Sequence, residues 1–221
     1  MNLNQWVKDI KELFFSYLTT IVYPFRIHDY LSYNIMLPEA PQHQPKKLTL
    51  YQAIGLSWFF EVLRGFLRIF LIYLTFTGLF AFYGQDWPFL REISEGPSLS
   101  WHYFVIFFTI VQVILFPVYK IFITEFWILL LTWVGGLLEI TEDMNQKILN
   151  TLTAAESAHV LSIVPIFGDL MQGLYRFFLL FAGLRKNLQA SSLLCVIILL
   201  IPSFILVMIA STLFLLFFML F

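Results

Sequence analysis

Charge is scarce in this chain. Asp, Glu, Lys and Arg make up 12% of its 221 residues, which is about half the share found in an average globular domain. Hydrophobic residues make up 60%, and 26 residues are phenylalanine. An apolar surface of this size is too large for a soluble core of the same length, so the composition predicts contact with lipid or with partner proteins.

What the sequence lacks excludes several kinds of site. Cys195 is the only cysteine, so no intrachain disulfide can form, and the four histidines are too scattered for a local metal motif. A net charge of −1 without a basic stripe argues against a nucleic-acid partner. Glycine-rich phosphate loops, Walker lysines and dinucleotide fingerprints are also missing. We therefore expect neither a bound metal nor a cofactor.

Enzymatic activity is not predicted either. Glu156, Ser157 and His159 lie close together in the sequence, but neighbours on a helix point to different faces and do not converge as a nucleophile and its base must. No Gly-x-Ser-x-Gly elbow and no metalloprotease His-Glu pattern accompanies them. We expect a protein without catalytic residues.

Long uncharged runs predict helices that cross a membrane. The last 35 residues contain no charged side chain, and about 20 apolar residues suffice to cross a bilayer. The second and third predicted spans are joined by a tight hairpin, because a single helix would carry Lys120 and Glu125 at its centre. The fourth is broken at Pro165. We predict an all-α polytopic bundle of about five transmembrane helices: 53–83, 101–119, 126–140, 157–184 and 193–221.

Two segments precede this transmembrane domain, which covers residues 49–221. Within residues 1–23, apolar side chains recur at helical spacing among charged ones, which predicts an amphipathic helix too charged to cross a bilayer. We place this helix in the headgroup plane with Trp6 and Tyr17 at the interface, and packing on its own bundle or on a partner is the alternative. Residues 24–48 contain four prolines and are predicted to be a cytoplasmic polar loop.

The positions of the cations predict how the chain is oriented. With five spans and a cytoplasmic N-terminus, most Lys and Arg residues lie on or near the cytoplasmic side. Only Arg91 and Lys147 then lie in the opposite polar loops, 84–99 and 141–155. Because cytoplasmic loops are enriched in Lys and Arg, we predict a cytoplasmic N-terminus and a C-terminus on the other side.

Charged side chains within apolar segments are costly and are the best local indication of function. Glu61 and Arg64 stand three apart, with Arg68 four further on, so they share a helix face and an internal ion pair is possible. Asp169 and Arg176 lie seven apart, beyond direct reach of each other, but each is able to pair with Glu61 or Arg64. These residues are either structural ion pairs and snorkelling cations or an interaction surface, headgroup contact or relay.

A run of small and apolar residues resembles the central signature of the Yip domain, the family of Ypt/Rab-interacting membrane proteins. Small residues come first, followed by an apolar Pro-x-x-Gly segment, an apolar helix and a Gly-Leu-Arg end. The matching positions are Ala154, Ala155, Ser157, Ala158, Ile163-Val164-Pro165-Ile166-Phe167-Gly168 and Gly183-Leu184-Arg185.

The resemblance extends over roughly residues 48–221 and implies a five-span protein that acts in membrane organisation or trafficking through protein contacts. It also implies a hetero-oligomer without enzymatic activity. The Asp-Leu-Tyr-Gly-Pro element of the eukaryotic members is absent before Tyr51. The chain therefore looks more like the bacterial relatives, and we expect it in the bacterial cytoplasmic membrane.

Pro165 and Gly168 have a physical role that does not depend on the family. Proline frees a backbone carbonyl from the helix, and glycine lets another helix approach closely. Because unpaired backbone groups are not tolerated in lipid, we expect the break to be buried against neighbouring spans as a packing node.

Two functions fit these observations. The first is a non-catalytic membrane scaffold or accessory subunit of a larger complex in membrane organisation or lipid trafficking, whose aromatic-rich spans dock other subunits. The alternative is a permease or channel subunit that handles a lipid or another small amphiphile, with a discontinuous helix at its site. The expected partners are the lipid bilayer and other membrane protein subunits. In the alternative, a headgroup path is lined by Glu61, Arg64, Asp169 and Arg176.

Overall fold

The computed structural model describes residues 3–33, 46–83, 98–140 and 143–220. Every regular element in these ranges is helical, so the all-α class is confirmed for this part of the chain. The elements are α1 (Leu3–Val22), α2 (Arg26–Tyr33), α3 (Leu50–Tyr83), α4 (Ser98–Leu137), α5 (Met144–Glu156), a 3₁₀-helix (Ser157–Ile163), α6 (Gly168–Asn187) and α7 (Ser192–Leu220).

Most of the helices pack around a main apolar core, and two smaller apolar clusters join α1 and α2 to it. The second half of α4, together with α5, α6 and the start of α7, supplies its fully buried side chains, among them Leu131, Ile148, Leu184 and Ile198. α3 lies beside α4, and the two contact each other where the Trp58 indole Nε1 donates to a backbone carbonyl of α4 at 2.9 Å. This core brings residues from both halves of the chain together, which positions the charged side chains described below.

α4 is a single continuous helix of 40 residues, about 60 Å long. The predicted hairpin between the spans 101–119 and 126–140 is therefore wrong. Lys120, which we expected to enforce a turn, is instead buried and paired with Glu156 at 2.7 Å. The segment 121–125 also contains neither glycine nor proline, so it lacks the residues that normally form a tight turn.

Two helices in the described ranges are long and apolar enough to cross a membrane: Tyr103–Leu137 within α4 and Ser192–Thr212 within α7. Only 17% and 18% of their most apolar stretches are buried, whereas apolar residues of a soluble core are mostly buried. These helices indicate membrane association. Two candidate spans replace the five predicted ones in the part of the chain that is described.

α1 packs on the rest of the protein through its second half. Tyr17 is completely buried, stacks on Phe60 of α3 and donates its hydroxyl to the Glu156 carbonyl at 2.7 Å. The predicted location of Tyr17 at the membrane interface is therefore wrong, because its hydroxyl finds an acceptor inside the protein. Packing on its own bundle, the alternative from the sequence, applies to this half of α1. The Trp6 side chain lies outside the described part.

Helices replace two of the predicted polar loops. α2 lies within the predicted loop 24–48 and packs Ile27 and Leu31 against Ala154 of α5. α5 itself occupies most of the predicted loop before residue 156, and the Asn150 amide donates to the Leu31 carbonyl at 3.2 Å. Polar residues are thus accommodated inside by specific hydrogen bonds. Three parts of the predicted loops lie outside the described residues: 34–45, 84–97 and 141–142.

Candidate functional site

A cluster of charged side chains lies where α3, α4, the 3₁₀-helix and α6 meet. Its deepest member is Glu156, the last residue of α5, which is 2% exposed. Its Oε2 atom lies 2.7 Å from Nζ of Lys120, and its Oε1 atom lies 3.0 Å from NH2 of Arg176. Lys120 Nζ also lies 5.3 Å from the centre of the Phe116 ring. Two cations therefore compensate one buried carboxylate, as burial of charge requires.

α1 contributes Tyr17 to the same region. The Tyr17 hydroxyl lies 2.8 Å from Ser57 Oγ and 2.7 Å from the Glu156 carbonyl oxygen. Burial holds the pKa of Tyr17 well above its ordinary value, so the phenol keeps its proton and donates. Ser57 Oγ also lies 3.2 Å from this carbonyl. These bonds hold α1 and α3 against the C-terminal end of α5.

Glu61 on α3 is the second buried carboxylate. Its Oε1 atom accepts from the Gln112 amide at 2.9 Å, and its Oε2 atom lies 3.1 Å from His159 Nε2 and 3.3 Å from Arg64 NH1. His159 Nδ1 lies 2.7 Å from Nε2 of Gln172 on α6. A neutral ring with its proton on Nε2 satisfies both contacts, because it donates to Glu61 and accepts from Gln172. His159 thereby links α3 to α6.

Arg64 extends the cluster towards the protein surface. Its NH2 atom lies 2.6 Å from Oδ2 of Asp169 in the first turn of α6, and the Asp169 side chain is 65% exposed. One turn further along α3, Arg68 donates from NH1 to Gln112 Oε1 at 3.4 Å. The cluster therefore reaches from fully buried Glu156 to an exposed carboxylate.

A cleft of about 580 Å³ opens beside these groups, between α3, α4 and α6. Its apolar wall includes Leu115 and Tyr119 of α4, which are 55% and 59% exposed on a candidate membrane span. A site with a few converging polar groups and an apolar wall suits a ligand that has both characters. Its polar and charged lining consists of Glu61, Arg64, Gln112, Lys120, His159, Asp169, Gln172 and Arg176.

The predicted polar residues are brought together, with one difference in pairing. The ion pair between Glu61 and Arg64, which the spacing made possible, is present, and Asp169 pairs with Arg64. For Arg176 the sequence allowed a pair with Glu61, but Arg176 pairs with Glu156 instead, because that carboxylate lies inside the protein rather than in a loop. The part these residues play in function stays a prediction.

Sequence reasoning considered Glu156 and His159 only as catalytic residues and rejected that role, and it did not predict that they and Lys120 lie at the centre of the cluster. Lys120 was assigned to a turn and Glu156 was placed at the edge of a polar loop, so both were expected in water. Their pairing joins positions 36 apart, and no local spacing rule relates such positions. Gln112 could have indicated the cluster. It is an amide in a largely apolar helical run, and a buried polar group needs polar partners from other helices.

The predicted packing node at Pro165 and Gly168 needs correction. The chain does turn there, between the 3₁₀-helix and α6, and Ile166 adopts a φ of 68°, which is uncommon for a β-branched residue. Pro165 is exposed rather than buried. A Cβ atom on Gly168 would lie 2.5 Å from the Ser162 carbonyl oxygen. Glycine is therefore required by the chain's own turn, not by the approach of another helix.

Metal-ligating groups do not converge within the described ranges: no set of three or more His, Cys, Asp or Glu side chains is placed to hold a metal ion. The ring nitrogens of His159 both have protein partners. Ser157, next to Glu156 in the sequence, donates its hydroxyl to the Ala154 carbonyl at 2.7 Å. The arrangement is suited to holding a polar group by hydrogen bonds and ion pairs.

Comparison with known proteins finds no matching family model, no matching curated protein and no matching solved structure. The resemblance to the Yip domain therefore depends on the sequence pattern alone and stays a prediction.

Proposed function

We propose that the chain is a multi-pass membrane protein in which α3, α4 and α7 cross the bilayer. In this arrangement α5, the 3₁₀-helix and α6 enter from one side and return to it. Contacts at the ends of these helices support this arrangement. Oδ2 of Asp29 in α2 lies 3.1 Å from Nζ of Lys186 in α6. The Asn187 amide at the end of α6 donates to the Lys147 carbonyl of α5 at 3.4 Å. The C-terminal end of α6 and the N-terminal end of α5 therefore lie on the same side.

This arrangement keeps the orientation predicted from the cations. Arg26, Arg185 and Lys186 belong to the end where α2, α5 and α6 meet, whereas residues 84–97 carry Arg91 against three acidic residues. Because cytoplasmic segments are enriched in Lys and Arg, the N-terminus is placed in the cytoplasm. Three crossings leave the C-terminus on the other side. On the resemblance alone, the membrane is the bacterial cytoplasmic membrane.

Within this topology, the protein binds or moves an amphiphile in the cleft between α3, α4 and α6. The supporting observation is the combination of charged residues on one wall with exposed apolar residues on the other. The polar head of an amphiphile pairs with Arg176, Lys120 and their neighbours, and its tail lies against Leu115 and Tyr119. Of the two functions that fit the sequence, the contacts around the cleft favour this one, because buried ion pairs line an open volume.

A substitution in the apolar wall tests this function without touching the ion pairs. Leu115→Trp fills the cleft, whereas Val118→Trp introduces the same side chain at an exposed α4 position outside its lining. Both variants are purified in mild detergent, their co-purified lipids are quantified by mass spectrometry, and transbilayer movement of a fluorescent phospholipid is measured in vesicles. Leu115→Trp is expected to lower lipid occupancy and movement, and Val118→Trp to leave both unchanged. Equal values for the two variants would refute the proposal.

A scaffold or accessory subunit is the second candidate function. The observation that favours it is α7, whose described side chains beyond Leu200 are mostly exposed, among them Phe204 and Val207. Such a helix contacts either lipid alone or the spans of another subunit. Size measurement with mass spectrometry of the particle in mild detergent separates these outcomes. A lone, monodisperse chain would count heavily against the scaffold.

A further inference from the structure

A second cavity, of about 410 Å³, lies between α3 and the segment that links the 3₁₀-helix to α6. It shares Arg64 and Asp169 with the cleft but lies against a different stretch of α3. Its charged residues come from the middle of α3 and the start of α6, and the rest of its lining includes Leu71, Ile72 and Val164. The cavity therefore combines the cationic side chains of Arg64 and Arg68 with an apolar wall.

Two arginines supply the charge. Arg64 and Arg68 are four residues apart and so lie on one face of α3. A guanidinium has five N–H donors, and in the described structure Arg68 uses one of them, on Gln112 at 3.4 Å. Arginine in pairs is well suited to phosphate, because the planar group donates two parallel bonds to its oxygens.

Ser162 provides an independent indication of a ligand. It lines the cavity and is 3% exposed, and its Oγ atom has no hydrogen-bond partner among the described residues. A buried hydroxyl without a partner costs free energy, and a bound acceptor at this edge of the cavity would remove that cost. The first turn of α6, which begins at Gly168 beside this cavity, adds backbone N–H groups and the positive end of a helix dipole.

Asp169 is the one acidic residue in this lining. Its carboxylate lies 2.6 Å from Arg64 NH2 and is largely exposed. An incoming anion competes with it for Arg64 and is repelled by its charge. Neutralising Asp169 is therefore expected to strengthen anion binding, the opposite of what loss of a structural ion pair would do.

We propose that this cavity is a binding site for a phosphate group, held by Arg64, Arg68 and Ser162. A phosphate carried on a lipid would place its acyl chains along Leu71 and Ile72, and inorganic phosphate would fill the polar end alone. Both sources share the same recognition chemistry. The site shares Arg64 with the cleft, but Arg68 and Ser162 line this cavity and not the cleft, so variants of these two residues test this proposal separately.

The test uses the purified full chain in a neutral detergent and three ligands: inorganic phosphate, short-chain phosphatidic acid and the diacylglycerol of the same chain length. Binding is measured by calorimetry. Arg68→Gln is expected to weaken phosphate or phosphatidate binding by roughly tenfold or more, and Ser162→Ala by about fivefold. Asp169→Asn is expected to tighten it. Lys11→Gln, which removes a charge from the exposed side of α1, is the matched control and is expected to bind like the parent chain.

The ligand series identifies the source. Equal affinity for phosphate and phosphatidate supports a free-phosphate site. Binding of phosphatidate alone supports a lipid-headgroup site in this cavity if Arg68→Gln weakens it and Leu115→Trp does not. Diacylglycerol that binds as tightly as phosphatidate would overturn the proposal, as would unchanged affinity in both Arg68→Gln and Asp169→Asn. Leu115→Trp, which fills the cleft, is expected to leave phosphate binding unchanged, so loss of cleft function and loss of this site are read separately.

Discussion

Lys120 of α4 and Glu156 at the end of α5 form an ion pair of 2.7 Å in the protein interior, where 3% and 2% of their side chains are exposed. An unpaired charge in such a place costs several kcal/mol. The pair therefore fixes the position of α4 relative to α5, and it explains why a lysine occurs in the middle of an apolar helix.

Removing one charge from this group should destabilise the protein by an amount that depends on what remains. Glu156→Gln leaves Lys120 and Arg176 without their shared carboxylate, and we expect a loss of about 3–5 kcal/mol in the free energy of unfolding. Lys120→Met should cost less, because Arg176 still compensates Glu156 at 3.0 Å. Denaturant unfolding in detergent measures both. A larger loss for Lys120→Met than for Glu156→Gln would contradict this account.

The double variant provides the control for this prediction. Residues in direct contact show a coupling energy of about 0.5–3 kcal/mol in a double-mutant cycle. We therefore expect the loss in the combined Lys120→Met and Glu156→Gln variant to be smaller than the sum of the two single losses. Strict additivity would mean that the two side chains do not interact in the folded protein.

The helical class and the apolar segments were predictable because hydrophobic runs and helical periodicity are local properties. The prediction of a hairpin within α4 was wrong, because a charged residue in an apolar run was assumed to lie in water or among headgroups. Lys120 lies instead where α4 passes through the protein core, and its partner comes from α5. α5 was itself missed because its many polar residues are buried by contacts with α2 and α6.

The candidate site was predictable in its outline and not in its centre. Glu61, Arg64 and Asp169 were found because each is a charged residue inside an apolar segment, where burying a charge is costly and therefore indicates a role. Glu156 and His159 were considered only as catalytic residues and not as members of this cluster, because they lie at a helix junction whose burial is decided by tertiary packing. Sequence reasoning recognises a charged residue in an apolar segment, but it does not recognise a polar segment that is buried by tertiary packing.

Acidification should destabilise the protein through His28. This residue of α2 is fully buried, and burial lowers its pKa to about 4, whereas an exposed histidine has a pKa of about 6.5. Between these values the unfolded chain binds more protons than the folded one, so stability falls as the pH falls. We expect unfolding free energy to be about 2 kcal/mol lower at pH 5 than at pH 7.5 from this residue.

The variant His28→Gln isolates this contribution. It removes the titrating ring while keeping a polar side chain near Asn187, which lies 3.2 Å from His28 Nδ1. We expect the variant to be less stable at pH 7.5 but to show a flatter dependence on pH between 4 and 6.5. Denaturant unfolding in detergent at several pH values measures the slope. Identical slopes for the two proteins would show that His28 does not titrate in this way.

Packing between α5 and α6 depends on Gly183. A Cβ atom at this position would lie 2.4 Å from Thr151 Cγ2, whereas a Cβ on Gly173 of the same helix meets nothing within 4 Å. We expect Gly183→Ala to cost about 1–3 kcal/mol through overpacking. Gly173→Ala should be neutral or stabilising by up to about 1 kcal/mol, because alanine favours the helix. Thermal unfolding in detergent compares the two.

Partial rescue identifies the contact that causes the loss. Thr151→Ser removes the Cγ2 methyl group but keeps the hydroxyl, which accepts from the Asn187 amide at 2.8 Å. Combined with Gly183→Ala, it is expected to recover part of the lost stability. If the combined variant is as unstable as the sum of its single changes, the clash with Thr151 is not the cause.

The continuity of α4 can be tested between Val118 and Phe126, where a hairpin and a helix differ most. Phe122 is 73% exposed and Thr124 is 4% exposed, as expected for two positions on different faces of one helix. Spin labels at Phe122→Cys and Thr124→Cys, in a Cys195→Ala background, report accessibility to oxygen and to a water-soluble nickel complex. If α4 is continuous, the label at position 122 is accessible to oxygen, and the label at position 124 is accessible to neither oxygen nor the nickel complex. A polar turn would expose both labels to the nickel complex, and that result would restore the hairpin.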